Sequence, residues 1–167
     1  MPETISRTSI LAMSPAQVWA RVTTPRLLRE VAAPLLRFRL APGEAWPEQW
    51  AEGQTIRLRL YALRLLPLGP HTLTIARVDE GARTIQTHES SPLLRLWEHR
   101  IAVESAGNGH TRYIDTVHFD AGRMTRVVAP FVRAFFAHRH RRWQFIVRRP
   151  STAPLEPYAP APTPPQP

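Results

Sequence analysis

Apolar and polar residues alternate along much of the middle of the chain. Ile56, Leu58 and Leu60 fall on one side of an extended segment, while Arg57 and Arg59 fall on the other. Alternation of this kind is typical of strands in an antiparallel sheet with one covered and one solvated face. The same spacing recurs at Leu73 with Ile75, at Ile85 with Thr87, at Trp97 with His99, Ile101 and Val103, and at Asp115 with Val117 and Phe119.

Turn-forming sequences separate these alternating runs. Glycine, proline, asparagine and serine favour the backbone angles of tight turns, so a cluster of them between two runs marks a reversal of the chain. Such clusters are Leu68-Gly69-Pro70, Asp79-Glu80-Gly81, Ser90-Ser91-Pro92 and Gly107-Asn108-Gly109. The region is therefore predicted to form an antiparallel meander.

The chain before the meander predicts one strand and two short helices. Residues 4–13 indicate a first strand, and Ser14-Pro15-Ala16-Gln17 is a strong helix start. Serine at the N-cap accepts an amide, proline suits the first helical position, and glutamine at the third reaches back to the cap. A second short helix is expected after Pro25, with Leu27, Leu28 and Val31 on its apolar side.

After Gly122 the apolar period becomes helical. The pattern predicts one long terminal helix with an apolar stripe, and Pro130 predicts a kink or a restart of the helix within it. The predicted stripe consists of Val127, Val128, Phe131, Ala134, Phe135 and His138, followed by Arg142 and Phe145.

This order of elements predicts an α+β fold. We expect a curved antiparallel sheet of about six or seven strands, two short helices after the first strand, and a long C-terminal helix on the covered face of the sheet. A curved sheet that wraps on a helix leaves a cavity between the two, where a small apolar ligand can sit.

Composition narrows the classes of function. The chain has 167 residues, no cysteine, 22 arginines, no lysine and 13 acidic residues, for a formal net charge of +9. Without cysteine, disulfides, thiol nucleophiles and cysteine-ligated metals are excluded. No apolar run is long enough to cross a membrane, so we expect a cytoplasmic protein without a membrane span.

Two segments stand apart in composition. Residues 150–167 contain eight prolines and a single charge, Glu156, which predicts a disordered tail after a folded domain at residues 1–149. Residues 133–149 are rich in arginine and histidine and contain no acid. That stretch allows a nucleic-acid interface, but the other arginines are spread along alternating strands rather than gathered on one face, so we do not favour nucleic acid as the partner.

Four motifs resemble those of one superfamily. They are Trp97-Glu98-His99-Arg100, Gly107-Asn108-Gly109-His110-Thr111, Asp115-Thr116-Val117-His118-Phe119 and Phe136-Ala137-His138-Arg139-His140. Together with the Ser-Pro-Ala-Gln-Val-Trp junction, their order resembles the START-like or Bet v 1-like helix-grip superfamily, also called SRPBCC. The resemblance spans roughly residues 4–148 and is sharpest to small bacterial proteins loosely labelled cyclase/dehydrase-like or cell-division-inhibitor-like. The sequence departs from the pattern of that subgroup at Glu89, Ile101, Phe119 and His138.

The resemblance implies a START-like domain that binds a small hydrophobic or amphipathic molecule between the sheet and the terminal helix. It implies no cofactor, and it leaves protein partners unknown. We expect Arg142 to supply a counter-charge from the helix and Trp97 to contribute shape. The expected ligand-binding side chains are Leu58, Leu60, Ile75, Glu89, Trp97, His99, Asp115, Val117, Phe131, Phe135 and Arg142.

His99 and Asp115 are also the candidate catalytic residues. On neighbouring strands with the same phase, they can form a cross-strand pair in which the carboxylate orients the imidazole as a general base. A cyclase, dehydratase or hydrolase is therefore the alternative function, although a buried pair that only orders the cavity wall fits the same pattern. No metal site is expected, since His138 and His140 point to nearly opposite sides of a helix and His88-Glu89 lacks the second histidine of a His-Glu-x-x-His motif.

Overall fold

A computed structural model describes residues 1–63 and 65–148 of the protein. Seven strands form one antiparallel sheet in the order β1-β7-β6-β5-β4-β3-β2. The elements are β1 (Glu3–Leu11), α1 (Pro15–Val22), α2 (Pro25–Ala32), β2 (Leu36–Leu40), β3 (Thr55–Ala62), β4 (Leu66–Asp79), β5 (Thr84–Ser90), β6 (Leu96–Gly107), β7 (His110–Asp120) and α3 (Thr125–Arg148). The predicted α+β fold is confirmed, while the proposed boundary at residue 149 and the proline-rich segment 150–167 lie outside the described residues.

The first helix begins as its sequence predicts. The Ser14 side chain accepts from the Gln17 amide, and the Gln17 side chain reaches back to the Ser14 backbone, which completes a capping box. Trp19 and Val22 are buried on one side of α1, and Leu27 and Val31 on one side of α2. Helix α1 therefore packs on β6 and β7, whereas α2 packs on α3 and β2.

The predicted turn at Leu68-Gly69-Pro70 is wrong, because β4 runs through these residues. Gly69 has a φ of +102°, and the pairing with β3 shifts at Leu60/Tyr61 to absorb the irregularity. Pro70 lies where β4 has β3 as its only neighbour, since pairing with β5 begins at Thr72. A proline is tolerated at such an edge because the missing amide breaks no ladder.

Helix α3 turns a different side toward the sheet from the one that its apolar residues predict. Val127, Phe131 and Phe145 are 66%, 42% and 47% exposed, so these members of the predicted stripe face outward. The covered side is rotated by about one residue and contains Ala129, Val132, Phe135, Phe136, Arg139, His140 and Trp143. The helix also continues through Pro130 without a restart.

The interior contains two apolar clusters. One joins α1, the middle of the sheet and Trp143, and includes Tyr113 of β7. The other joins the start of α3 to Val117 and Phe119 at the far end of β7. Asp115 lies between Tyr113 and Val117 on the same side of β7, so a charged residue separates the two clusters. Among the described residues, no helix is long and apolar enough to span a membrane.

Candidate functional site

Asp115 is the centre of a buried polar cluster. Alternation along β7 turns Tyr113, Asp115 and Val117 toward α3, and Asp115 is 1% exposed. The predicted cross-strand contact forms: His99 Nε2 lies 2.7 Å from Asp115 Oδ1. The Tyr113 hydroxyl donates to the same oxygen at 3.0 Å. A carboxylate that has left water is thus held by donors from two adjacent strands.

Helix α3 supplies the opposing charges. Arg139 Nε lies 3.3 Å from Asp115 Oδ2, and another guanidinium nitrogen donates to the Tyr113 hydroxyl at 3.1 Å. His140 Nε2 lies 3.2 Å from Asp115 Oδ2, an ion-pair distance without hydrogen-bond alignment. The other ring nitrogen of His140 shares a 2.7 Å hydrogen bond with Ser9 on β1. Asp115 therefore ties the helix to the sheet.

A second buried pair continues the polar groups across the sheet. His71 Nε2 of β4 lies 2.8 Å from Glu89 Oε2 of β5, and Thr87 donates to the other oxygen of Glu89 at 3.2 Å. His71 is 4% exposed. Together the two groups form what we call the polar belt, defined by His71, Glu89, His99, Tyr113, Asp115, Arg139 and His140.

Opposing effects set the charge states in the belt. Burial alone would raise the pKa of Asp115, but the charges of Arg139 and His99 outweigh it and hold this pKa well below its usual range. Burial likewise opposes ionisation of Glu89, yet the bond and charge of His71 lower its pKa. Burial and the Asp115 charge raise the pKa of the Tyr113 phenol, so that it stays a donor. Both carboxylates of the belt are therefore stabilised in their ionised form by partners within the belt.

Aromatic rings flank the belt on one side. The Phe136 ring packs edge-on against His99, with centroids 5.2 Å apart, and stacks at 6.4 Å on Trp97. Trp97 also contacts Phe119 at 5.7 Å. The buried Trp97 Nε1 on this side has no hydrogen-bond partner within the described protein, and neither does His71 Nδ1 within the belt.

The sequence-predicted site residues divide into three groups. His99, Asp115 and Glu89 lie in the polar belt, and Trp97 lies beside it. Leu58, Ile75, Val117 and Phe135 are buried in the apolar clusters, with Leu60 half-buried. Phe131 and Arg142 do not face the sheet: Phe131 is exposed, and Arg142 donates to the Glu30 carbonyl oxygen at 3.3 Å.

Sequence reasoning missed His71, Tyr113, Arg139 and His140. The expected counter-charge from the helix comes from Arg139, three residues before Arg142. Arg139 and His140 stand in the fourth motif of the superfamily resemblance, and that motif could have identified them. His71 continues the alternation of Leu73 and Ile75 and was hidden by the turn predicted at Gly69-Pro70.

Other candidate chemistry finds less support in the described residues. No group of three histidine, aspartate or glutamate side chains there is arranged to hold a metal ion. The basic stretch does not form one face, because Arg139 is buried and Arg133 pairs with Glu3 at 2.8 Å. Two surface grooves of about 170 and 320 Å³ lie at the α2–β2 junction and between β1 and α3, and Phe136 lines the larger one.

Comparison with known proteins gives a family and a fold. The model of a family described as "Domain of unknown function (DUF8410)" matches residues 9–145. No curated protein sequence matches the chain.

Solved structures match over most of the chain at low identity. Truncated norcoclaurine synthase from Thalictrum flavum has a TM-score of 0.68 and 12% identity, over 90% of this chain and 96% of that one. The ZhuI aromatase/cyclase from Streptomyces sp. R1128 has a TM-score of 0.63 and 14% identity, over 89% and 95%. Ara h 8.0201 has a TM-score of 0.63 and 15% identity, over 88% and 98%. The predicted Bet v 1-like helix-grip fold is confirmed.

Proposed function

The chain belongs to the DUF8410 domain family, and from this premise we propose that it binds a small amphipathic molecule between the sheet and helix α3. The family match, residues 9–145, covers every residue of the polar belt. In this proposal the belt holds a polar group of the ligand, and Trp97, Phe119 and Phe136 contact its apolar body. A cytoplasmic location is part of the same proposal.

The unpartnered indole nitrogen of Trp97, beside the belt, carries this proposal. A buried polar atom without a hydrogen bond costs about 1–3 kcal/mol, so an oxygen that accepts from Trp97 Nε1 offsets a cost already present in the fold. An aromatic surface with a few polar groups is the usual character of a small-molecule site. One structural neighbour, norcoclaurine synthase, is described in complex with dopamine and hydroxybenzaldehyde, which are small amphipathic aromatics.

The pairing of charges in the belt favours an uncharged polar group on the ligand. Asp115 is balanced by Arg139, and Glu89 is held by His71. An added carboxylate or phosphate would be buried without its own partner, which is costly. Hydroxyl and carbonyl groups fit better, because they accept from a neutral donor such as the Trp97 indole without disturbing either pair.

Hydroxybenzaldehyde is a suitable first probe, because its carbonyl and hydroxyl oxygens accept hydrogen bonds. We expect it to shift the Trp97 indole N–H signal in a ¹⁵N-resolved NMR titration. Trp97→Phe keeps an aromatic ring but removes the donor, and one hydrogen bond of about 0.5–1.5 kcal/mol predicts a two- to tenfold loss of affinity.

Trp50→Phe is the matched control, because Trp50 packs edge-on against Trp46 away from the belt. An unmoved Trp97 signal at saturating probe, or the same loss of affinity in both variants, would contradict the proposal. Native mass spectrometry of the gently purified protein gives a second test, since a co-purifying small amphipathic molecule would identify a ligand directly.

Acid–base catalysis at His99 and Asp115 is a second candidate, favoured by their 2.7 Å buried contact. His99→Gln and Asp115→Asn keep size and hydrogen-bonding capacity while removing the titrating pair. A general-base role predicts a turnover of esters or cyclisable polyketide mimics that falls about 10²- to 10⁴-fold in both variants, with little change in melting temperature. We expect the opposite result: no turnover by the unmodified protein, and a loss of stability in both variants.

A further inference from the structure

Large apolar side chains are exposed at one end of the sheet. Hairpins in an antiparallel meander alternate between the two ends, so the β3–β4 and β5–β6 turns share an end with the start of α3. We call this region the hairpin end. Its side chains that are 55–86% exposed are Leu63, Leu65, Leu66, Leu93, Met124 and Val127.

The β3–β4 hairpin projects from this end. Residues 66–71 of β4 pair with β3 alone, because pairing with β5 starts at Thr72. Leu65, at the tip, is 86% exposed. Large exposed apolar side chains gathered at one end of a folded protein, rather than scattered singly, indicate an interaction site.

The hairpin end is also basic. Residues 62–70, 91–97 and 121–131 contain no aspartate or glutamate, and Arg95, Arg123 and Arg126 are exposed there. The Arg95 guanidinium lies against Gly122, which brings the β5–β6 turn to the start of α3. The nearby Asp120 carboxylate accepts from the Gly122 amide and the Thr125 hydroxyl.

Arg126 lies at the amino-terminal end of α3, where helices favour acidic residues over basic ones. The amino-terminal end of a helix carries a partial positive charge and favours acidic residues. The first turn of α3 instead contains Arg126 and no acid, and Arg123 lies two residues before the helix begins. Positive charge at this place lowers the stability of the helix, but it strengthens attraction to an anionic surface outside the protein.

We propose that the hairpin end docks on an anionic phospholipid bilayer, with its leucines in the interfacial layer and its arginines against lipid phosphates. Leucines at projecting turns, flanked by arginine and with Asp120 already bonded to Gly122 and Thr125, match the apolar and anionic layers of such a surface. The 170 Å³ groove at the α2–β2 junction opens beside this end, since the Leu63 amide donates to the Leu35 carbonyl at 2.9 Å. Docking at the hairpin end does not require any particular ligand between the sheet and helix α3.

Co-sedimentation with vesicles tests the docking surface. We expect the full chain to bind vesicles of mixed phosphatidylcholine and phosphatidylglycerol, and to bind pure phosphatidylcholine at least tenfold more weakly. Arg123→Gln and Arg126→Gln should each weaken binding about fivefold. The double variant Leu65→Gln/Leu93→Gln should weaken it more than tenfold.

Ile10→Gln is the matched control, because Ile10 is 47% exposed on β1 near the opposite end. All substituted side chains are exposed, so circular dichroism should show unchanged folding. Equal binding to neutral and anionic vesicles, or an equal loss in the Ile10 control, would overturn the proposal. So would sedimentation equilibrium showing self-association that the leucine variant abolishes, since a second copy of the chain would then cover the hairpin end.

Discussion

Replacing Asp115 by asparagine should destabilise the protein by about 3–5 kcal/mol, because it removes one partner of a buried ion pair. The Asp115 side chain is 0% exposed and that of Arg139 is 4% exposed, so water cannot replace the lost charge. The amide is nearly isosteric with the carboxyl group, and the loss therefore reports on charge rather than on volume. At about 2–4 °C per kcal/mol, the melting temperature should fall by about 6–20 °C.

A double-mutant cycle separates the ion pair from its surroundings. Arg139→Gln alone should also cost about 3–5 kcal/mol. The double variant Asp115→Asn/Arg139→Gln should cost about 2 kcal/mol less than the sum of the two single costs. Arg142→Gln is the control, since Arg142 lies three residues further along α3 and contacts only the Glu30 backbone among described polar partners. The free energy of unfolding is measured by guanidinium titration followed by far-ultraviolet circular dichroism. Additive losses, or an Asp115→Asn cost below about 1 kcal/mol, would refute the assignment of a coupled buried pair.

Three further predictions test the belt, the helix and the cap. The folded-state pKa of Asp115 lies below its unfolded value of about 3.9, so its ionised form adds stability above that pH and loses it as the pH falls through the folded pKa. Melting temperatures should thus decline below about pH 4, and less steeply in Asp115→Asn. Phe136→Ala should cost about 3–5 kcal/mol in guanidinium unfolding, and Phe131→Ala under about 1 kcal/mol. The reverse order would support the orientation of α3 predicted from the sequence, in which Phe131 faces the sheet. Ser14→Ala should cost about 0.5–2 kcal/mol, and Ser14→Gly only a few tenths, by the same assay; equal costs would argue against a capping role.

Local patterns predicted the fold where burial and apolarity coincide. The strands β3, β5 and β7 bury the residues that their alternation selects, and Gly107-Asn108-Gly109 turns the chain with three consecutive positive φ angles. The failure at Gly69-Pro70 has a tertiary cause. A proline interrupts a strand only where its amide is needed, and that depends on which neighbour the strand has at that level.

The site was harder to predict because one side of α3 is covered yet polar. Apolar periodicity selects Val127, Phe131 and Phe145, which the structure exposes, and passes over Arg139 and His140, which it buries. Burial of these two residues depends on Asp115, which lies on β7 and contacts both of them across the interface between sheet and helix. The superfamily motif that contains Arg139 could have identified these two site residues. Apolar periodicity within the helix could not, because it selects only apolar positions.

The pairing of Asp115 with Arg139 also constrains how the sequence can change over generations. Each single replacement removes a large part of a stability margin that is typically about 5–15 kcal/mol, so selection should remove it before a compensating change arises. Substitution at either position should therefore be strongly epistatic, and accepted mostly where the other position has already changed. Phe131 is 42% exposed and belongs to no buried charge pair, so an alignment of related chains should show weaker constraint there beside correlated replacement at positions 115 and 139.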